Sequence, residues 1–200
     1  MKKKIFITVF SIFFLFSFAN KSNAYSSDPK QFITEVVDEA KKILVETNSQ
    51  EFKTTKLSEI ALEVVDIKGI GYYTLGNYRK TLNDEQKKKY SSLFEKYFLK
   101  SFSSRLADYS DPKIEVVSSE ILSPKYTIVK SVLLATDKKP EVKIEWRVYT
   151  KNPDKPLIRD LIIEGLSLAR TQKEEFASVI ESNNGDITKL FITLKEFINK

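Results

Sequence analysis

The chain of 200 residues contains no cysteine and no histidine. Without cysteine no disulfide can form, so an exported fold of this sequence is held together by burial alone. Without histidine a Ser-His-Asp triad, a Cys-His dyad and a His-containing zinc site are all excluded. Carboxylate-only chemistry survives both absences, so enzymes are restricted rather than ruled out. A third absence concerns membranes: beyond residue 24 no apolar run approaches the roughly 20 residues a bilayer-spanning helix needs.

The one long apolar run stands at the start. Lys2, Lys3 and Lys4 precede a nearly unbroken apolar stretch from Ile5 to Ala19, and a short polar segment then closes on Ser22-Asn23-Ala24. Basic end, apolar middle and small residues at the cut are the three parts of a secretory signal peptide. The lesser alternative is an uncleaved anchor, for which the stretch is short. No cysteine follows it to accept a lipid. Residues 1–24 are therefore expected to be a cleaved signal peptide, and residues 25–200 a single exported, soluble domain.

Export changes the charge picture. The whole chain is formally +6, but Lys2, Lys3, Lys4 and Lys21 leave with the leader and no acid does, which leaves +2. The pI near 9.2 mostly reflects the export signal. A nearly balanced domain offers little basis for binding nucleic acid.

Helical signals come first. Asp28-Pro29 with Gln31 supplies an N-cap, a proline at the first helical position and a capping-box acceptor. Phe32, Ile33, Val36, Val37, Ala40, Ile43 and Leu44 then recur at three- and four-residue steps, predicting a helix to about Thr47. A shorter helix is expected over Leu57 to Val65, and one or two short helices between Lys68 and Leu82. Asn83 to Gln86 is a second capping box, opening the longest helix. Tyr90, Leu93, Phe94, Tyr97, Phe98, Phe102, Leu106 and Tyr109 form an aromatic stripe along it. Such a stripe faces a core or contacts a ligand, and the two coincide if the core holds a cavity.

After Asp111-Pro112 the period changes. Ile114–Leu122, Tyr126–Ala135, Val142–Thr150 and Leu157–Glu164 read as strands, separated by Ser123-Pro124, Asp137-Lys138-Lys139-Pro140 and Asn152-Pro153-Asp154. Short links favour an antiparallel meander. The last two strands specify their own register. Pairing Trp146 with Leu161 sets Ile144 beside Ile163, Arg147 beside Asp160 and Lys143 beside Glu164. A one-residue slip would put Arg147 opposite Arg159, losing burial and charge match together. Thr171 to Glu174 then reads as a capping box for a helix through about Ser182. Gly185 stands at a C-cap position, and Asp186 caps Ile187 to Ile198.

Several motifs point to chemistry only weakly. Gly165-Leu166-Ser167-Leu168-Ala169 partly matches a nucleophile elbow, but the elbow serves a serine deprotonated by a histidine. Gly69-Ile70-Gly71 with Gly76 lacks the strand and the lysine-serine pair of a phosphate loop. Glu63 and Asp66 read as a solvated pair of acids without a third metal ligand. Lys87-Lys88-Lys89 is a solvated face by default, or a docking patch for an acidic partner or lipid headgroups.

Three stretches together resemble the MlaC family, the periplasmic phospholipid-binding or toluene-tolerance auxiliary proteins. They are Leu75-Gly76-Asn77-Tyr78-Arg79-Lys80 with Asp84-Glu85-Gln86-Lys87 and the helix to Tyr109; Val142 to Arg147; and Arg159-Asp160-Leu161-Ile162-Ile163-Glu164-Gly165-Leu166-Ser167-Leu168 with Thr171-Gln172-Lys173. The closing Gly185–Leu194 segment is similar too, although Asn183-Asn184-Gly185 has fewer glycines than that turn often carries.

The resemblance implies an α+β fold: a curved antiparallel sheet of about four strands wrapped by helices and enclosing an apolar lipid cavity. It implies a carrier and not an enzyme. Glycerophospholipid would be cargo, no cofactor is expected, and the site is periplasmic. The partners implied are an inner-membrane MCE-domain ABC transporter and an outer-membrane lipoprotein–porin complex; a monomer is expected. Cavity-lining residues are expected at Leu75, Tyr78, Phe94 and Phe98 on the helical side. On the second strand they are expected at Val129 and Leu133, and on the last two at Ile144, Trp146, Val148, Leu161 and Ile163. Two other classes stay open: a chaperone or adaptor for protein segments, and a carboxylate-based lipid-modifying enzyme.

Overall fold

The Asp28 carboxylate accepts the Gln31 backbone N–H at 2.8 Å and starts helix α1, Pro29–Val45. The computed structural model describes residues 25–137 and 140–200. The expected leader, and Lys138 and Lys139 of one expected turn, lie outside the described residues.

Helix α2, Gln50–Val64, begins seven residues before the expected Leu57, because Ser49 caps it by accepting the Phe52 N–H at 3.2 Å. Its first two turns are mostly polar, so periodicity alone could not find them. Asp66 caps α3, Ile67–Thr74, and a 3-10 turn follows over Gly76–Lys80. The capping box at Asn83 and Gln86 is formed in both directions and opens α4, Asp84–Ala107. Gly71 is where α3 meets α4: a Cβ there would come within 2.8 Å of the Phe94 ring.

The strands are β1, Ile114–Ser123; β2, Tyr126–Leu133; β3, Val142–Tyr149; β4, Leu157–Ile163; and β5, Leu166–Ser167. They form one open, curved sheet in chain order, antiparallel throughout. Trp146 pairs with Leu161, Ile144 with Ile163 and Arg147 with Asp160, as the alternation predicts. The Lys143–Glu164 neighbourhood uses backbone rather than the ammonium: Glu164 donates its N–H to Lys143 O at 3.1 Å.

Two departures come from backbone geometry. A bulge after Arg147 sets Val148 opposite Ile158, leaving Arg159 unpaired in the ladder. The free edge of β4 at Ile158 is covered by Val65 and Asp66, with Asp66 N–H on Ile158 O at 3.0 Å. Glu164 and Gly165 both have positive φ, 48° and 80°. That is the two-residue hairpin turn whose twist suits antiparallel strands. It returns the chain as the short fifth strand.

Ser167 ends β5 and caps α5, Leu168–Glu181, by accepting the Arg170 N–H at 3.1 Å. The helix thus starts three residues before the expected box at Thr171, whose hydroxyl bonds back to Ser167 O. Gly185, φ 80°, closes α5 by donating to Ile180 O, and Asp186 caps α6, Ile187–Asn199. Among the described residues no helix is long and apolar enough to cross a membrane. The packed core gathers Phe32, Ile33, Tyr90, Val129, Val148, Ile180 and Leu190 beneath the helices.

Candidate functional site

Phe94, Phe98 and Phe102 lie four residues apart on α4 and so share one ridge of the helix. Their rings follow one another at 6.2 and 5.5 Å. Facing them across the interior, Trp146 projects from β3 and Ile158 and Leu161 from β4. The two walls do not close onto each other. Two adjoining cavities remain, of about 230 and about 300 Å³. An apolar cavity of about 150 Å³ already stays dry and admits a benzene-sized guest.

The first cavity runs between α3, the middle of α4, β4 and the start of α5, with Ile70, Tyr97 and Ala169 on its wall. The second lies between α1, α2, the end of α4 and the sheet, walled by Val36, Leu44, Ile60, Val64 and Ile114 among others. Phe102, Trp146, Ile158, Leu161 and Leu168 border both. Leu168 is 39% exposed, so the shared wall reaches the surface.

Polar groups at the site serve mainly to fix it. The Asp160 side chain is buried beneath the first cavity and fully engaged. It accepts Ser167 Oγ at 2.6 Å and the Ala169 N–H at 3.0 Å, and pairs with the Arg147 guanidinium at 3.2 Å. These contacts pin the start of α5 to β4. They also dispose of the elbow-like serine, whose hydroxyl caps a helix and donates to a buried carboxylate. Arg159, displaced by the bulge, is held by Asp66 through Nε at 2.6 Å and by the Tyr126 hydroxyl at 2.9 Å, and its guanidinium lies 3.6 Å from the centre of the Tyr149 ring. Burial works against its charge, but the bonds to Tyr126 and Asp66 outweigh that and hold its pKa above the ordinary value. Asp66 is therefore half of an ion pair and a helix cap, not one of two solvated acids.

At the opposite rim Tyr97 donates its hydroxyl to Gln172 Oε1 at 2.7 Å, and Gln172 donates to Glu175 at 2.9 Å. Burial raises the Tyr97 pKa, with Glu175 adding to the rise. Tyr97 thus stays a neutral donor at physiological pH.

The predicted lining residues divide. Phe94 and Phe98 border the first cavity; Leu133, Ile144 and Ile163 border the second; Trp146 and Leu161 border both. Leu75, Val129 and Val148 border neither and are buried in the packed core. Val129 and Val148 share the sheet face of Trp146, but face alone does not separate core from void. Tyr78 is half-buried in the 3-10 turn and packs at the edge of that core. The α1 and α2 faces, Phe102 and Leu168 were not expected on the lining. Phe102 and the α1 residues carried a signal, since they belong to apolar stripes, but the stripe reads the same against core or cavity. Leu168 carried none. Gly69 and Gly71 fall inside α3 and form no phosphate loop.

The family described as MlaC protein matches residues 30–196. In structure the chain is similar to the phospholipid-binding protein from Ralstonia solanacearum, solved in complex with a phospholipid. The TM-score is 0.71 at 18% sequence identity, covering 87% of this chain and 97% of the other. At that identity the likeness speaks for the fold.

Proposed function

The chain belongs to the MlaC family, and on that premise we propose that it is a periplasmic phospholipid carrier, the soluble member of an MCE/ABC transport system moving lipid between the inner and outer membranes. The observation that carries this reading is the pair of adjoining, largely apolar cavities between the α4 aromatic ridge and the sheet, joined at a wall that reaches the surface. The phospholipid bound by the Ralstonia protein of the same fold supports it.

The physics is a transfer argument. Each acyl methylene removed from water stabilises the complex by about 0.8 kcal/mol. Two chains of ordinary length favour the cavity by more than roughly 10 kcal/mol before association costs. A free phospholipid therefore rarely crosses an aqueous compartment unaided. Trp146, Leu161, Phe98 and Phe102 are the residues proposed to touch acyl chains, with Leu133, Ile144, Ile163 and Phe94 beside them. Glycerophospholipid is cargo, no cofactor takes part and no bond is broken. An inner-membrane MCE-domain ABC transporter and an outer-membrane lipoprotein–porin complex are the proposed partners of a monomeric carrier.

The test is organic extraction of the purified protein followed by mass spectrometry, which should find intact glycerophospholipid. Protein that emerges lipid-free from membrane-containing cells, and stays so with added vesicles, sinks the reading. Lyso-lipid or free fatty acid would favour the enzyme alternative, and a bound peptide without lipid the chaperone.

A further inference from the structure

Beside the aromatic ridge of α4 runs a second ridge of different chemistry. Tyr97, Ser101 and Arg105 also stand four residues apart, and all three border the first cavity along with Phe94, Phe98 and Phe102. One face of α4 thus offers an apolar lane and, next to it, a lane of hydrogen-bond donors ending in a guanidinium.

The charged groups lining the cavities can be taken in turn. Asp160 is satisfied by Arg147, Ser167 and Ala169. Arg159 is bound to Asp66. Glu175 accepts the Gln172 amide. Lys41 and Arg105 make neither a hydrogen bond nor an ion pair among the described residues. Lys41 borders only the second cavity, whereas Arg105 borders both and is the one cation on their shared wall. Among the described residues Glu175 has no cation partner, but its carboxylate is taken up by the Gln172 amide, whereas these two cations have no acceptor, so an anion is what the Arg105 guanidinium can still take.

We propose that Arg105 anchors the phosphate of a bound phospholipid where the two cavities meet, with Ser101 as a further donor. This rests on the carrier reading and adds the headgroup contact to it. A guanidinium can meet two phosphate oxygens at once through parallel N–H bonds. Being exposed, Arg105 gives up little hydration until a lipid arrives. Chains inserted along the phenylalanine lane would leave the glycerophosphate beside the donor lane, and the same oxyanion chemistry in free phosphate would lack that apolar attachment.

The experiment compares Arg105→Gln with the unaltered protein, using vesicles doped with phosphatidylglycerol or with diacylglycerol of the same chains, and reading lipid per protein by extraction. Arg105→Gln should retain phosphatidylglycerol about tenfold less well, keep diacylglycerol at the unaltered level, and unfold at an unchanged midpoint. Arg105→Lys should recover part of the loss. Equal retention of both lipids by Arg105→Gln, or an equal fall in both, overturns the assignment while leaving the carrier intact. Unaltered protein that holds neither lipid overturns both. Inorganic phosphate is the remaining arm. If it shifts the Arg105 side-chain resonance of lipid-free protein, while Arg105→Gln holds phosphatidylglycerol normally, the site is one for free anion and the assignment fails.

Discussion

Trp146 donates its indole N–H to Ser131 Oγ at 2.8 Å, diagonally across β3 and β2. Both side chains are buried, and Trp146 also stands on the wall common to the two cavities. The bond fixes the plane of the largest side chain facing the interior. Ser131→Ala leaves a buried N–H without a partner, which typically costs about 1–3 kcal/mol. Chemical denaturation should show that loss. Because Trp146 is the chain's only tryptophan, its emission should also respond to added phospholipid. An unchanged midpoint would mean that water replaces the serine at no cost.

Added bulk on the sheet face tests whether it borders usable space. Leu161→Phe and Ile163→Trp should lower lipid per protein, while the delipidated variants unfold within about 1 kcal/mol of the original. In a solid core the same changes would overpack and cost about 1–3 kcal/mol. Delipidation is needed because bound lipid itself raises apparent stability. A large drop in the delipidated midpoint with lipid retained would make this face ordinary core.

Stability should fall in alkali because the phenols of Tyr90, Tyr25 and Tyr97 are all held above their ordinary pKa. Tyr90 is fully buried with its hydroxyl on Thr74 Oγ1 at 2.8 Å, and burial pushes its pKa well above the ordinary 10.0. Tyr25 is raised likewise, by burial first and then by its bond to Glu39. The folded state therefore keeps protons that the unfolded chain gives up from about pH 10 upward, and stability is lost as pH rises beyond that point. Denaturation midpoints between about pH 8 and about pH 11 measure the slope. Tyr90→Phe should lessen it, and a flat profile in the original protein would contradict the burial of the Tyr90 ring.

The basic run on α4 should govern delivery rather than retention. Lys87 lies 3.4 Å from Asp84, and Lys88 and Lys89 are exposed; none of the three borders a cavity. Reversing charge at Lys88 and Lys89 should slow lipid exchange with anionic vesicles and change its salt dependence, with bound lipid unchanged. Loss of lipid in that variant would mean that the run supports the cavity wall.

The sequence by itself determined whatever depends on near neighbours or on a single pair of strands. The caps at Asp28, Asn83 and Asp186 are local hydrogen bonds, and each starts its helix where expected. The Trp146–Leu161 register follows from alternation and charge match, because a slip of one residue would reverse every side chain in the strand. At Ser49 and Ser167 a serine cap starts the helix ahead of the position indicated by periodicity in the one case and by the box at Thr171 in the other. The bulge at Arg159 and the turn at Glu164-Gly165 needed backbone geometry that alternation does not encode. The site depended most on tertiary structure. Periodicity tells that Val129, Val148, Trp146 and Leu161 face inward, but not how far the opposite wall stands. That distance is set jointly by the close approach of Gly71 to Phe94, the anchoring of α5 on Asp160 and the placement of α1 and α2. It packs Val129 and Val148 into core and leaves Trp146 and Leu161 facing space, a difference that arises only when all the elements are assembled.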